Sequence, residues 1–366
     1  MNLSITVNGI KFPNPFLLGS GPPGTNARVI AKSFDAGWGG VVAKTVSLES
    51  AKVINVVPRY GRLRSRDKGE IIGFENIELI SDRPIEVWLQ EFREIKKEYP
   101  EQILIASIME EYDKSRWQEL TRMVQETGVD AFELNFSCPH GMPERRMGSE
   151  MGEHPDLTQE VTGWVTEVST IPVWAKMTPN ITNIREPSMA AVRGGAVGVS
   201  AINTILSVIG VDLETLRPMP TVEGYTVPGG YSCQAVRPIA LRMVSQLAQS
   251  LPEGVSISGI GGIENSHDAL EFMLLGASTV QLCTGVMLHG IKIIDELKEG
   301  VAKFMTDKQF ETISDIVGKS IPYFSTHMNL VERMKQAKRH KGGESSRDND
   351  WAEKSITEKT AELTSN

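Results

Sequence analysis

The chain has 366 residues, 40% hydrophobic and 23% charged, with a formal net charge of -8 at pH 7. This composition is that of a globular protein with enough apolar mass for one large core; the acidic balance speaks against nucleic-acid or anionic-membrane partners, which need a basic surface, and points to a small molecule. Three cysteines, Cys138, Cys233 and Cys283, include no Cys-x-x-Cys pair and so indicate neither a disulfide framework nor a zinc or iron–sulfur site.

In chain order, Asn8-Gly9 separates residues 3–7 from 11–12, a hairpin signal, and such a hairpin can plug the bottom of a barrel. Eight short apolar, β-rich runs then recur, at 16–21, 40–46, 103–109, 131–137, 173–178, 198–204, 255–260 and 279–284. Between them, residues 84–99, 114–127, 157–168, 235–250 and 267–275 carry apolar side chains at spacings of three and four, as amphipathic helices do. Such alternation predicts a parallel sheet with crossover helices, and eight units without a dividing linker predict an α/β fold of the (β/α)8 TIM barrel type, the alternative being an open doubly wound sheet. The barrel is expected over residues 1–320, and 321–366 as a C-terminal helical extension with a flexible polar tail from about His340. No basic, apolar leader opens the chain and no run of eighteen apolar residues occurs, so an intracellular protein without a membrane span is expected.

The connections after the second, fourth and sixth strands, residues 47–83, 138–153 and 205–234, are the long ones, and barrel active sites are built from the loops on that face. Polar residues sit at the C-terminal ends of the strands: Ser20, Lys44-Thr45, Asn135 with Ser137-Cys138, Lys176 with Thr178, Asn203-Thr204, and Gly261-Gly262. A single lysine there reads equally well as a chain snorkelling to water, but two lysines and two asparagines in equivalent places indicate a site. A flavin accounts for the set, because its phosphate needs backbone N–H groups and its reduced ring a nearby cation. Gly259-Ile260-Gly261-Gly262 closes the seventh strand and Cys283-Thr284-Gly285 the eighth, where barrels commonly hold phosphate. Cys138 opens a loop rich in Gly, Pro and Met over residues 138–148, and a thiol of ordinary pKa, about 8.5, is suited to donate a proton. His140 is the second choice; Cys283 and Cys233 read as small buried hydrophobes.

The stretch Glu133-Leu134-Asn135-Phe136-Ser137-Cys138-Pro139-His140-Gly141-Met142 resembles the active-site segment of the dihydropyrimidine dehydrogenases, within the class 1 dihydroorotate dehydrogenase-like flavoproteins. Further matches fall at Asn14-Pro15-Phe16, Lys44-Thr45, residues 76–81, 175–180 and 237–240, and Asn203-Thr204, over about residues 7–290. The resemblance is nearest to the plant-type single-domain form. It implies FMN at Ser20, Lys44, Thr45, Asn135, Lys176, Cys233, Ile260, Gly261, Gly262, Cys283 and Thr284, and a pyrimidine at Asn76, Asn135, Phe136, Ser137, Asn203 and Thr204. It also implies reduction of uracil and thymine to 5,6-dihydropyrimidines, the first step of pyrimidine catabolism, by hydride transfer from FMN with Cys138 as proton donor beneath a closing 138–148 loop. One position departs: Cys233 stands where the family has a small glycine after Gly229-Gly230-Tyr231-Ser232, and a positive φ there would be strained.

The residues themselves agree with a neutral pyrimidine, whose alternating N–H and C=O groups an asparagine amide matches with both its donor and its acceptor. Orotate, the substrate of the alternative class 1 dihydroorotate dehydrogenase, asks for a further cation; Arg59, Arg62, Arg64 and Arg66 are within reach but read as a solvated basic segment. Without cluster cysteines, electrons come either from NADPH directly or from a separate reductase partner, and the resemblance to the plant-type form implies NADPH. By resemblance the chain is expected to form a homodimer. Met1 abuts the first strand, which makes the cytoplasm the expected compartment, or the plastid stroma if this is a trimmed plant or algal protein.

Overall fold

The computed structural model describes residues 1–138 and 147–339, and divides the chain into two compact units, Met1–Ile321 and Pro322–Asn366. His140, most of the 138–148 loop and the tail from His340 lie outside the described residues. In the second unit one helix is described, His327–Arg339.

Strands β1 (Ile5–Val7) and β2 (Ile10–Phe12) pair antiparallel through Asn8-Gly9, both at positive φ. The Asn8 amide then seals the barrel bottom. Its Oδ1 accepts from Trp174 Nε1 at 2.9 Å and Ser256 Oγ at 2.5 Å, and its Nδ2 donates to the Val197 carbonyl at 2.9 Å, all at the N-terminal ends of barrel strands.

The barrel continues with β3 (Phe16–Leu18), α1 (Ala27–Asp35), β4 (Gly40–Val42), the hairpin β5 (Tyr60–Arg64) and β6 (Ile71–Asn76), α2 (Ile85–Glu98), β7 (Ile103–Ile108), α3 (Lys114–Gln125) and β8 (Ala131–Phe136). Next come α4 (Ser149–Gly152), α5 (Pro155–Thr166), β9 (Val173–Met177), α6 (Arg185–Arg193), β10 (Gly198–Ala201), β11 (Ile205–Ser207), β12 (Gly210–Asp212), β13 (Arg217–Met219) and β14 (Gly229–Ser232). The last elements are α7 (Arg237–Ala248), β15 (Ser256–Ile260), α8 (Ser266–Leu274), β16 (Thr279–Leu282), α9 (Thr284–His289) and α10 (Ile293–Lys308). Strands β3, β4, β7, β8, β9, β10, β15 and β16 close on one another, every pair parallel. The open-sheet alternative is thereby excluded.

The helices form where the sequence gives them a face and a cap. On α2, Ile85, Trp88, Leu89, Phe92 and Ile95 recur at helical spacing and are buried against the sheet. Asn26, Asp113 and Asn265 cap α1, α3 and α8 by accepting a backbone N–H from the first turn, about 1 kcal/mol each. The strands are covered on both sides, which is why they read as continuous apolar runs. The barrel interior has a polar layer: Gln281 Nε2 donates to Glu133 Oε1 at 2.8 Å, Ser258 Oγ at 3.1 Å and Ser200 Oγ at 3.2 Å.

The connections after the second and sixth barrel strands form one structure. Their strands form a four-stranded antiparallel sheet in the order β11-β14-β6-β5. Buried Glu75 on β6 pins it by accepting from Ser207 Oγ at 2.9 Å and from the N–H groups of Ile209 at 3.1 Å and Gly229 at 3.2 Å. Gly73 leaves room for Tyr231, whose hydroxyl would lie 1.9 Å from a Cβ there.

Candidate active site

A cleft of about 1080 Å3, counting its open mouth, occupies the C-terminal face of the barrel beside this sheet. Each barrel strand carries inward side chains at alternate positions, so the last inward residue of each reaches the cleft floor. Lys44 and Thr45 arrive after β4, Asn135 from β8 and Lys176 from β9. Asn203 and Thr204 follow β10, Ile260 to Gly262 follow β15, and Cys283 and Thr284 follow β16. Ser20, Cys138 and, from the canopy sheet, Asn76 complete the set.

Three predicted residues do not line the cleft. Phe136 is one step along β8 from Asn135 and therefore faces outward, where its ring packs 6.1 Å from that of Trp117 on α3. The period-two alternation of the strand turns its side chain away from the cleft where the pyrimidine was expected. Ser137 is fully buried and serves the others: its Oγ donates to Asn135 Oδ1 at 3.0 Å and accepts from Asn203 Nδ2 at 2.9 Å. Asn135 Nδ2 in turn donates to Thr45 Oγ1 at 2.9 Å, so one chain of hydrogen bonds orients both amides. Cys233 sits behind the wall with φ 81°, the strained alternative, which costs a non-glycine residue about 1–3 kcal/mol. Burial, reinforced by a 3.1 Å contact to Glu264 Oε1, pushes its thiol up to about 12.

Each floor lysine is paired with a buried carboxylate. Lys176 Nζ lies 3.5 Å from Glu133 Oε2, and Lys44 Nζ 3.2 Å from Glu78 Oε2. Glu78 also accepts from Arg59 at 2.8 Å and from the Tyr60 hydroxyl at 3.1 Å, and burial with the Glu78 charge raises the Tyr60 pKa. Arg62, Arg64 and Arg66 are exposed, as a solvated segment would be. Burial pushes the Cys283 thiol up to about 11 against the pull of Lys176 and Lys44, so it stays protonated. Cys138 is buried against Ile80, Met109 and Met147 while lining the cleft.

In the sequence, Glu78 and Glu133 stand out only as parts of matched segments. The signal for Glu133 was its place two residues before Asn135, on the same inward face of an apolar strand.

One end of the cleft is bare backbone. Gly261 (φ 141°) and Gly262 (φ 75°) meet the start of α9, where Ser232 Oγ lies 2.8 Å from Thr284 Oγ1. A Cβ on Gly262 would come within 2.6 Å of the Cys233 carbonyl oxygen. Backbone donors and hydroxyls at one end, with two ammonium groups under the middle, fit a ligand that has a phosphate and a planar ring able to carry negative charge.

A closed parallel barrel with a polar cleft of this kind at the strand C-termini has the architecture of a barrel enzyme. The family model described as dihydroorotate dehydrogenase matches residues 2–305, and the chain belongs to that oxidoreductase family. The chain is 54% identical, over all its length and 88% of the relative's, to the chloroplastic dihydropyrimidine dehydrogenase (NADP(+)) of Arabidopsis thaliana. It is 46% identical, over 87% of its length and 76% of the relative's, to the NAD-dependent dihydropyrimidine dehydrogenase subunit PreA of Escherichia coli strain K12. The catalytic subunit of dihydroorotate dehydrogenase B (NAD(+)) of Pyrococcus abyssi is 36% identical over 87% of the chain and 99% of that protein. Among solved structures, DHODH of Eimeria tenella superposes with a TM-score of 0.72 at 19% identity, covering 87% of this chain and 88% of that one, a likeness of fold.

Proposed function

We propose that this chain reduces the 5,6 double bond of uracil and thymine, with FMN on the lysine floor and Cys138 as proton donor to C5. One observation carries this reading: Asn76, Asn203 and Thr204 line the same cleft as Cys138, above two lysines whose charges are already matched by Glu78 and Glu133. A neutral ring with alternating donors and acceptors suits amides and a hydroxyl. A carboxylate such as that of orotate calls for an uncompensated cation; among the described cleft-lining residues the cations are Lys44 and Lys176, and Arg59 is committed to Glu78.

FMN would be held by the Gly261-Gly262 backbone, Thr284 and the start of α9 at its phosphate, and by Ser20, Thr45, Asn135, Lys44 and Lys176 around its ring. When bound, it supplies the hydride that the pyrimidine receives at C6. Lys44 and Lys176 offer N–H donors to the ring on the floor. The Thr45–Asn135–Ser137–Asn203 chain holds the amides in one orientation, and Cys138 protonates C5. NADPH is the proposed electron donor, in keeping with the NADP(+) in the name of the Arabidopsis relative; the PreA relative is named as a subunit, which makes a separate reductase the alternative.

We also propose a homodimer and a plastid location. The β11–β14 excursion exposes Leu206, Val208, Val211, Leu213 and Leu216, apolar area that a second copy would cover. The Arabidopsis relative is described as chloroplastic; among the described residues no helix is long and apolar enough to cross a membrane. The purified, FMN-loaded chain given NADPH and either uracil, thymine or orotate tests the substrate assignment. Turnover of uracil and thymine is expected; turnover of orotate alone would replace this reading with dihydroorotate dehydrogenase chemistry.

A further inference from the structure

Cys138 stands in a partition. On one side is the cleft with the lysine floor; on the other is a second, open-sided chamber of about 1050 Å3, counting its mouth, and Cys138, Leu79 and Ile80 line both. Next to the thiol the chamber is apolar, built from Val53, Ile80, Met109 and Met147. Elsewhere its lining is charged: Glu49 and Lys52 come from the connection after β4, Glu110 and Glu111 from the connection after β7, and Arg116 belongs to α3.

Glu110 is 1% exposed. Its Oε1 accepts the Leu48 N–H at 2.5 Å, and its Oε2 accepts from Arg116 Nε at 3.0 Å. Arg116 also lies 3.3 Å from Glu111 and 3.9 Å from Glu49, so three carboxylates share one guanidinium, while Lys52 is paired with Glu49 at 2.6 Å. Burial raises the Glu110 pKa above its ordinary value, overcoming the Leu48 N–H and the Arg116 charge. A buried acid at the C-terminal end of a barrel strand, opening on a cavity, is in the place where such folds carry function.

A thiol that gives its proton to the ring in each turnover must recover one before the next, at a moment when product fills the cleft in front of it. We propose that the second chamber is the route by which Cys138 recovers its proton and that Glu110 delivers it, an inference that rests on Cys138 being the donor in the proposed pyrimidine reduction. The step balances without electron transfer. The S–H bond breaks as C5–H forms. The thiolate then takes a proton, through water in the chamber, from the Glu110 carboxyl, and the Glu110 carboxylate takes one from solvent at the rim beside exposed Lys52 and Ile54. Polar groups at the charged end give such water the partners it needs.

The test reads proton exchange at sulfur directly. The full chain with FMN bound and reduced is equilibrated in D2O and mixed rapidly with uracil in excess H2O, and deuterium at C5 of the first-turnover product is measured by NMR, separately from C6. Wild type is expected to retain little deuterium at C5, and Glu110→Gln at least threefold more. Val53→Trp, which narrows the chamber on the side next to the thiol and leaves Glu110 in place, is expected to give the same rise and carries the test should Glu110→Gln fail to fold. Wild-type retention in Glu110→Gln overturns the role of Glu110, and wild-type retention in Val53→Trp overturns the chamber as the route. Undiminished uracil turnover in Cys138→Ala is a different failure, that of the underlying reading.

Discussion

Lys176→Met removes a buried charge while keeping most of the side-chain volume, and the structure sets its cost. The side chains of Lys176 and Glu133 are 4% and 0% exposed. Without the lysine, Glu133 Oε1 keeps the hydrogen bond from Gln281 Nε2 at 2.8 Å, while Oε2 has none. Breaking a buried pair from one side costs about 3–5 kcal/mol, because the orphaned charge stays in a low-dielectric interior. Lys44→Met is the internal comparison: there Glu78 retains Arg59 at 2.8 Å and Tyr60 at 3.1 Å, so the expected loss is about 1–2 kcal/mol. Urea unfolding of both FMN-free variants measures the difference, and Lys176→Met/Glu133→Gln should recover at least half of the larger loss, since a neutral amide replaces the stranded carboxylate. A Lys176→Met loss within ~1 kcal/mol of that of Lys44→Met would refute the claim that Lys176 is the one cation, among the described residues, that offsets the Glu133 charge.

Gly262→Ala places a Cβ at φ 75° within 2.6 Å of the Cys233 carbonyl oxygen, so the turn must shift, and FMN affinity by fluorescence quenching should fall at least tenfold; unchanged affinity would remove this turn from the cofactor site. Glu110 binds its proton more tightly in the folded chain than at its ordinary value of 4.5, so the native state loses stability as pH rises from 4.5 through the raised pKa. Glu110→Gln should lack that decline, seen as a smaller drop in urea midpoint between about pH 4.5 and pH 8; an identical drop would show that Glu110 does not titrate this way.

Chain locality decides which features the sequence disclosed and which it hid. All eight barrel strands were legible because a strand buried on both faces writes an unbroken apolar run, and the plug was legible from Asn8-Gly9. The polar strand ends were also legible, so most of the cleft lining was in view. The motif match names Asn135 and Phe136 together, without regard to the alternation that turns the side chain of Asn135 in and that of Phe136 out. The canopy sheet was hidden because β6 and β14 pair across more than 150 residues, Gly230 facing Asn76. Glu78 and Glu133 acquire meaning only beside Lys44 and Lys176, which arrive from other strands. The strain at Cys233 was foreseeable only as a condition, and the backbone decides it at φ 81°.

The central claim, that Cys138 protonates the pyrimidine from above a flavin floor, is tested most directly by separating the two half-reactions of Cys138→Ala in a stopped-flow instrument. NADPH should reduce the bound flavin at the wild-type rate. Uracil should then reoxidise it at least about a hundredfold more slowly, the loss expected when a positioned general acid is removed. Reoxidation by uracil at the wild-type rate would contradict the account.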